Sequence, residues 1–314
     1  MACGKLIIGA TLLVIALGLQ GLAAQSQPII PAFKGGVEMV RVAAVVRNHK
    51  GRFVRDLNAR DFEIVDSGQA RAISDFRSDL AGISVAMLFD VSGSMEGQLP
   101  NAREAARHVL SWMDSLRDEA AVFTFDTHLD ERAGFTTGLK ALPESMTTVV
   151  PYGATSLRDA IAETARRVGK REGRRRAVVV LTDGGDNSSR LKPAEVSAIA
   201  SEIDVPVYIF VIVPSIDNPS EDTSTQSIER AAMAGPLSDL AAWTGGHVFV
   251  ASTPGQRSIA ARQIIDELRH QYLIAFESSG SPGWHALVVR ARNKDLTVRA
   301  RSGYLAGQSS PTLH

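Results

Sequence analysis

The amino-acid sequence predicts an α/β fold, in which a mostly parallel central sheet is flanked by helices and accompanied by a small β-sandwich-like module. Between residues 83 and 253, apolar runs of strand length alternate with segments of helical periodicity. That alternation is typical of a parallel sheet covered by helices on both faces. The flanking segments 33–77 and 268–305 contain only short runs of alternating polarity separated by turn residues, which indicates antiparallel strands.

The composition limits the classes of protein to which the chain can belong. It has 314 residues, of which 45% are hydrophobic and 22% are charged, as expected for a globular protein that buries a core. Basic and acidic residues number 34 each, so the formal net charge is zero. Because no global positive field attracts polyanions, we expect no nucleic-acid partner.

Residues 1–24 have the layout of a secretory signal peptide. Lys5 precedes an apolar run that extends to Leu19, and Ala23 and Ala24 provide small residues at which cleavage would occur. A membrane anchor is the alternative, but a spanning helix needs about 20 apolar residues and this run is shorter. We therefore expect an exported protein, periplasmic or secreted, with membrane contact only through the signal peptide before cleavage. Cys3 is the only cysteine, so the mature chain would form no disulfide.

The two β flanks are predicted to form one sandwich, with the central domain inserted between them. Each flank is near or below about 40–45 residues, a size at which isolated folding is rare without disulfides or metal. The alternative is that the C-terminal strands extend the central sheet. The polar tail 307–314 is expected to be disordered. In the sandwich, one set of apolar residues is expected to face the other: Phe53, Phe62, Ile64, Ile73 and Phe76 against Leu273, Trp284, Leu287, Val289 and Val298.

Three groups of oxygen-bearing side chains follow predicted strands or precede a predicted helix. Asp90, Ser92 and Ser94 follow the apolar run 83–89, Asp183 follows the apolar run 177–181, and Thr155 precedes a helix expected from residue 157. In open α/β sheets, ligands bind beyond the carboxyl ends of the strands, so these five side chains are expected to converge. A capped turn before a helix would explain one such group, because aspartate and serine are favoured there, but not all three.

These residue types indicate a site for a hard divalent cation. Mg²⁺ and Mn²⁺ prefer oxygen ligands, and the hydroxyls of Ser92, Ser94 and Thr155 can coordinate such an ion directly. Asp90 and Asp183 can orient coordinated waters and supply compensating charge. Such a site leaves a coordination position for a carboxylate from outside the chain.

The motif Asp90-Val91-Ser92-Gly93-Ser94, with Thr155 and Asp183, resembles the metal-ion-dependent adhesion site of von Willebrand factor A domains. The resemblance covers about residues 83–253. It implies a Rossmann-like sheet, Mg²⁺ held by the two serines and the threonine, and an Asp or Glu carboxylate of a protein (or a glycan carboxylate) completing the shell. Asp186 and Asn187 follow closely and are candidates for supporting contacts.

The flanks resemble those of the bacterial proteins called VWFA-related domain proteins. The matching motifs include Phe53-Val54-Arg55-Asp56-Leu57 before the central domain and Arg301-Ser302-Gly303-Tyr304 after it. This resemblance extends the likeness to most of the mature chain. The resemblance of the flanks implies this domain architecture but no particular ligand.

Three function classes are compatible with the motif. The first is a binding module, without enzymatic activity, that recognises a carboxylate through the metal. The second is a Mg²⁺-dependent phosphoryl-transfer enzyme with Asp90 as nucleophile. The phosphatases of the haloacid dehalogenase type have Asp-x-Asp-x-Thr, however, and this chain has Ser92 in place of the second carboxylate. The third is a structural envelope subunit in which the metal only stabilises the fold.

Overall fold

The computed structural model describes residues 39–78, 82–202, 204–213 and 235–306. The predicted signal peptide 1–24, the start of the N-terminal flank and the tail 307–314 lie outside the described residues. Among the helices that are described, none combines the length and the apolar character that crossing a membrane requires.

The described chain contains fourteen strands and five α-helices. The first four strands are β1 (Met39–Asn48), β2 (Phe62–Asp66), β3 (Gln69–Arg71) and β4 (Ile73–Arg77). The middle of the chain forms β5 (Ile83–Asp90), α1 (Leu99–Trp112), β6 (Glu119–Phe125), β7 (Leu129–Thr137), α2 (Leu157–Gly169), β8 (Arg175–Thr182), α3 (Pro193–Glu202), β9 (Val207–Ile212), α4 (Pro236–Thr244), β10 (Val248–Ala251) and α5 (Pro254–Arg269). The last four strands are β11 (Gln271–Glu277), β12 (Gly283–Ala291), β13 (Leu296–Ala300) and β14 (Gly303–Ala306).

The central sheet has six strands in the order β10-β9-β8-β5-β6-β7. Neighbouring strands are parallel except for β7, which pairs antiparallel with β6 at one edge. Every residue of β5, β6 and β9 is buried, as expected for strands that are covered on both faces. The predicted α/β fold with a mostly parallel central sheet is confirmed.

The helices cover both faces of this sheet. Helices α1 and α5 contribute to one apolar cluster with alternate side chains of the strands, and α2, α3 and α4 contribute to the other. Helix α5 begins after a capping box formed by Thr253 and Gln256. Its buried Ile264, Ile265 and Leu268 pack in the same cluster as β5. The core of the central domain thus extends beyond residue 253, where the sequence pattern placed its end.

The two flanks together form a module of two antiparallel sheets. One has the strand order β13-β1-β11-β4 and the other β14-β12-β2-β3, so each sheet combines strands from before and after the central domain. A single apolar cluster joins them, with Val42 and Ile64 from the N-terminal flank and Ile274 and Leu287 from the C-terminal flank. The predicted sandwich-like module is confirmed, and the alternative in which the C-terminal strands extend the central sheet is wrong.

Three residues predicted to face the sandwich core do not do so. In β11 the core side is taken by Tyr272, Ile274 and Phe276, so Leu273 points to the other face. Trp284 is 48% exposed, and Phe53 stacks on His270, with the ring centroids 4.3 Å apart. The other predicted core residues pack in or against the shared cluster: Phe62, Ile64, Ile73, Phe76, Leu287, Val289 and Val298.

Candidate metal centre

The Asp-x-Ser-x-Ser motif lies at the carboxyl end of β5, in the middle of the central sheet. β5 is parallel to both of its neighbours, β6 and β8, so the ends of these strands emerge at one edge. The backbone N–H of Val91 donates to the carbonyl of Phe125, at the end of β6, at 2.9 Å. The motif is therefore attached to the sheet edge where ligands of open α/β folds bind.

The Asp90 carboxylate is fully buried, and hydroxyl groups satisfy both of its oxygens. The Ser92 hydroxyl donates to Oδ1 at 2.6 Å and the Ser92 backbone N–H donates to the same oxygen at 2.9 Å. The Thr182 hydroxyl, at the end of β8, donates to Oδ2 at 2.6 Å. Thr182 was not among the residues predicted from the sequence, although it immediately precedes Asp183.

The electrostatic environment of Asp90 lacks a counter-charge. Burial raises the pKa of this carboxyl, the negative charge of Asp183 adds to the effect, and the hydrogen bonds from Ser92 and Thr182 oppose it without cancelling it. Within the described ranges, no lysine, arginine or histidine forms an ion pair with Asp90 or Asp183. A cation at this edge would therefore relieve an unfavourable concentration of negative charge.

The two serines of the motif are adjacent, with 3.2 Å between their hydroxyl oxygens. Ser92 is buried and Ser94 is exposed, so the pair extends from the interior to the surface. The backbone N–H of Gly93 donates to the carbonyl of Gly153 at 3.0 Å, which joins the motif to the loop that carries Thr155. Gly153 has φ of 85°, a backbone conformation that glycine adopts without strain.

Thr155 is buried and held in place by the loop that follows β8. The Asn187 side chain accepts a hydrogen bond from the Thr155 N–H at 2.9 Å. The backbone N–H groups of Asn187 and Ser188 donate to the Thr155 carbonyl at 3.1 and 3.0 Å. Among the described residues, no hydrogen-bond partner occupies the Thr155 hydroxyl. Asn187 thus supports a candidate ligand, as expected from its position in the sequence.

Asp186 supports the start of α2. It accepts hydrogen bonds from the backbone N–H of Arg158 at 3.0 Å and from the Arg158 side chain at 2.8 Å. Burial raises the pKa of Asp186, but the hydrogen bonds from Arg158 and Ser189 outweigh that effect and leave it below its ordinary value. Unlike Asp90, Asp186 has its own counter-charge.

All five predicted residues lie at the end of β5 or in the loops at this edge, but they are connected in two ways. Direct hydrogen bonds link the side chains of Asp90, Ser92 and Ser94. Thr155 joins them through backbone contacts of its loop. Asp183 is half-buried, accepts a hydrogen bond from the Gly185 N–H at 3.0 Å, and acts on Asp90 through its charge.

The donor set fits a hard divalent cation. In the part of the chain that the structure describes, no three carboxylate, imidazole or thiol groups form a metal-binding cluster. An ion at this edge would therefore depend on hydroxyl oxygens, with Asp90 and Asp183 supplying charge around them. Oxygen donors of this kind are those that Mg²⁺ and Mn²⁺ prefer, whereas softer ions favour imidazole and thiolate.

Comparison with known proteins agrees with the family that the motif resembles. Residues 85–185 match the family model of the von Willebrand factor type A domain. Comparison with curated proteins gave no match.

Several solved structures are similar to this chain at low identity. The conserved hypothetical protein BatB from Bacteroides thetaiotaomicron has 18% identity and a TM-score of 0.46, and the alignment covers 60% of this chain and 98% of that one. A von Willebrand factor type A protein from Catenulispora acidiphila has 12% identity and a TM-score of 0.44, over 89% and 78% of the two chains. Proximal thread matrix protein 1 from the mussel byssus, described with a zinc-occupied MIDAS motif, has 18% identity and a TM-score of 0.44, over 64% and 50%.

Proposed function

We propose that this protein, whose residues 85–185 belong to a von Willebrand factor type A domain, is an exported binding module that captures a carboxylate through a divalent cation. The cation is Mg²⁺ or Mn²⁺, and the carboxylate belongs to an Asp or Glu side chain of a protein partner, or to a glycan. The export part of the proposal rests on the signal-like residues 1–24, which lie outside the described residues.

The observation that carries the proposal is the hydrogen bonding of Ser92. A serine hydroxyl has one proton and two lone pairs, and Ser92 donates that proton to Asp90 at 2.6 Å. In the 3.2 Å contact between the two hydroxyls, Ser94 is then the donor, so one lone pair of Ser92 accepts from the exposed Ser94 and the other is left for a cation. Asp90 orients this oxygen as an acceptor without itself reaching the surface.

Ser92, Ser94 and Thr155 would hold the cation directly, and Asp90 and Asp183 would hold its waters. A bound cation would supply a Lewis-acidic position at the surface for the partner's carboxylate. Because the direct ligands are neutral, the two carboxylates of the chain compensate the charge of the ion only from outside its inner coordination shell. That leaves a favourable interaction for an anionic ligand from outside.

The burial of Asp90 argues against the phosphoryl-transfer alternative. A carboxylate nucleophile must reach a phosphorus atom, but Asp90 is fully buried and both of its oxygens accept short hydroxyl hydrogen bonds. The structural alternative, in which the metal only stabilises the fold, differs from the proposal in one respect. It predicts no ligand whose binding requires the metal.

The first prediction concerns stabilisation by metal. The midpoint temperature of thermal denaturation of the full chain should rise on addition of MgCl₂ or MnCl₂ and return to its starting value with excess EDTA. A ligand at 100 times its Kd stabilises by about 2.7 kcal/mol. Ser94→Ala and Thr155→Ala each remove one donor oxygen and should lose the shift. A matched control is Ser111→Ala, which removes an exposed hydroxyl near the end of α1, at the opposite edge of the sheet.

An equal shift in the parent and in Ser94→Ala would show that the metal does not stabilise the protein through the candidate site. Steady hydrolysis of p-nitrophenyl phosphate by the parent, abolished in Asp90→Asn, would favour the enzyme instead.

A further inference from the structure

The segment that connects β7 to α2, residues 138–156, is attached to the candidate metal site. The backbone N–H of Tyr152 donates to the Val91 carbonyl at 2.9 Å, and that of Gly93 donates to the Gly153 carbonyl at 3.0 Å. Val91 and Gly93 are the two residues interleaved in the Asp-x-Ser-x-Ser motif. The position of Tyr152 is therefore set by the same backbone that positions the candidate ligands.

This segment exposes two large apolar side chains next to the site. Val150 is 79% exposed and Tyr152 is 82% exposed. The preceding residue Val149 packs against the core of the central sheet, and Met146 is buried. These two side chains anchor the segment to the central domain. Of the four tyrosines in the chain, the other three are at most 2% exposed. Tyrosine supplies large contact area at protein interfaces and is enriched among the residues that dominate binding energy.

A groove of about 260 Å³ lies beside these two side chains. It is lined by Val150 and Tyr152, by Asp126 and Asp130 of the β6–β7 hairpin, and by Val91 of the motif. The groove thus reaches the motif at Val91. It has an apolar part at Val150 and Tyr152 and a charged part in which Arg132 and His128 accompany the two carboxylates.

The charges of the groove restrict what can occupy it. Asp130 is paired with Arg132 at 3.3 Å. In the described ranges the only ion-pair partner of Asp126 is His128, at 3.8 Å, whose side chain is 87% exposed. The groove therefore has one weakly compensated carboxylate, which disfavours a second anionic group, including the phosphates of an anionic lipid surface. A partner whose single acidic side chain binds the cation, and whose neighbouring side chain in the groove is apolar, meets no such repulsion.

We infer that the partner is an extended segment of another protein, with one acidic side chain on the cation and a neighbouring apolar side chain against Val150 and Tyr152. Tyr152 is then a specificity-determining residue, and the apolar neighbour contributes affinity by removing both surfaces from water. This inference rests on the proposed function, because the acidic side chain requires the cation.

The test uses the full chain and labelled synthetic hexapeptides with blocked ends, each containing a single central glutamate flanked by leucine or by serine. Fluorescence anisotropy in MgCl₂ should show that the leucine-flanked peptide binds at least about tenfold more tightly than the serine-flanked one, and that EDTA abolishes binding. Tyr152→Ser should remove most of this preference. The matched control is Leu116→Ser, because Leu116 is 85% exposed on the connection that precedes β6, at the opposite edge of the sheet.

The metal response separates failure of this inference from failure of the proposed function. Tyr152 donates no ligand to the cation, so Tyr152→Ser should keep the thermal shift with MgCl₂. If that variant binds the leucine-flanked peptide as the parent does, the inference is overturned and the proposed function stands. If the parent binds no peptide while keeping its shift, the inference is overturned and the metal site of the proposed function stands. Binding to vesicles of phosphatidylglycerol and phosphatidylethanolamine that depends on Tyr152, without peptide binding, would also overturn it. Absence of any metal response in the parent would refute both.

Discussion

Two buried aspartates, one in each part of the molecule, have opposite environments. Asp90 at the edge of the central sheet and Asp66 in the sandwich-like module are both fully buried. Asp90 is surrounded by hydroxyl groups. Asp66 accepts hydrogen bonds from His285 Nδ1 at 2.8 Å, from the Tyr304 hydroxyl at 3.1 Å and from Arg71 Nε at 3.3 Å.

The pKa values of the two carboxyls shift in opposite directions for this reason. Burial raises the pKa of Asp66, but the hydrogen bonds from His285 and Tyr304 and the charges of His285 and Arg71 outweigh it, so the pKa lies below its ordinary value. Burial also raises the pKa of Asp90, and there the opposing hydrogen bonds are not sufficient. Asp66 is neutralised by its own chain, whereas the charge of Asp90 is not.

The comparison shows that burial alone does not distinguish a carboxylate neutralised by its own chain from one that lacks a counter-charge. The distinguishing feature is whether the chain itself provides the cation. In the sandwich-like module the chain provides the cation. The hydrogen bonds to Asp66 join β2, β3, β12 and β14, which all lie in one sheet. At the edge of the central sheet the described chain provides none, which is the arrangement expected where a cation comes from outside.

The largest expected effect is that of Asp66→Asn. It should lower the free energy of unfolding by about 3–5 kcal/mol, because it leaves the buried His285 and the half-buried Arg71 beside a neutral amide. Equilibrium unfolding of the full chain in urea measures the change. The control is Asp75→Asn, since Asp75 is exposed in β4 and pairs with Arg77 at the surface. Equal effects of the two substitutions would contradict a structural role for the buried network.

An intermediate effect is expected for His285→Gln, and it should depend on pH. Burial lowers the pKa of His285, but the hydrogen bonds to the Ser281 carbonyl and to Asp66 outweigh it and raise the pKa above its ordinary value of 6.5. A raised pKa in the folded state contributes stability that is complete below pH 6.5 and is lost as the pH rises through the folded value. The variant should therefore be about 1.5–3 kcal/mol less stable than the parent at pH 5.5, with a smaller difference at alkaline pH.

The lowered pKa of Asp66 affects stability at acidic pH. Its contribution is present above its ordinary value of 3.8 and is lost as the pH falls through the folded value. Urea unfolding between pH 4 and pH 9 therefore follows the titration of His285 while the Asp66 contribution stays in place, with His128→Gln as the control because that side chain is 87% exposed. A difference between the parent and His285→Gln that stays constant across this range would show that the histidine acts without its charge.

The smallest expected effect is that of Asp90→Asn measured in EDTA. Because this carboxylate has no counter-cation in the described chain, its neutralisation should change the free energy of unfolding by less than about 1 kcal/mol, in either direction. The same variant should lose the thermal shift with MgCl₂. If Asp90→Asn in EDTA is as damaging as Asp66→Asn, the contrast between the two carboxylates is wrong and Asp90 is primarily structural.

Local sequence pattern was sufficient for the architecture of the central domain and for the position of the site. The mainly apolar run that ends at Phe89 is explained by a strand buried on both faces, and a polar residue at its carboxyl end must emerge at the sheet edge. The spacing of Asp90, Ser92 and Ser94 places three oxygens in one short loop. These are properties of neighbours in sequence, so no long-range information was needed.

Other features depended on contacts between residues that are distant in sequence. β7 is antiparallel and half-exposed, and only its pairing with β6 makes it part of the sheet. Helix α5 belongs to the central core because Ile264 and Leu268 pack in the same apolar cluster as the side chains of the central strands, not because of its own periodicity. The roles of Thr182 and Asn187 arise from hydrogen bonds across 92 and 32 residues of sequence.

The sequence by itself therefore determined the alternation of strands and helices in the central domain and the shared module of the two flanks, and it supplied the five side chains of the candidate site. Only the tertiary structure decided which face of β11 meets the sandwich core, because a shift of one residue in pairing reverses every side chain of a strand. It alone also decided which buried aspartate receives a counter-charge. Charge compensation at Asp66 requires β2, β3, β12 and β14 to lie in one sheet, and strand pairing over more than 200 residues leaves no local signal.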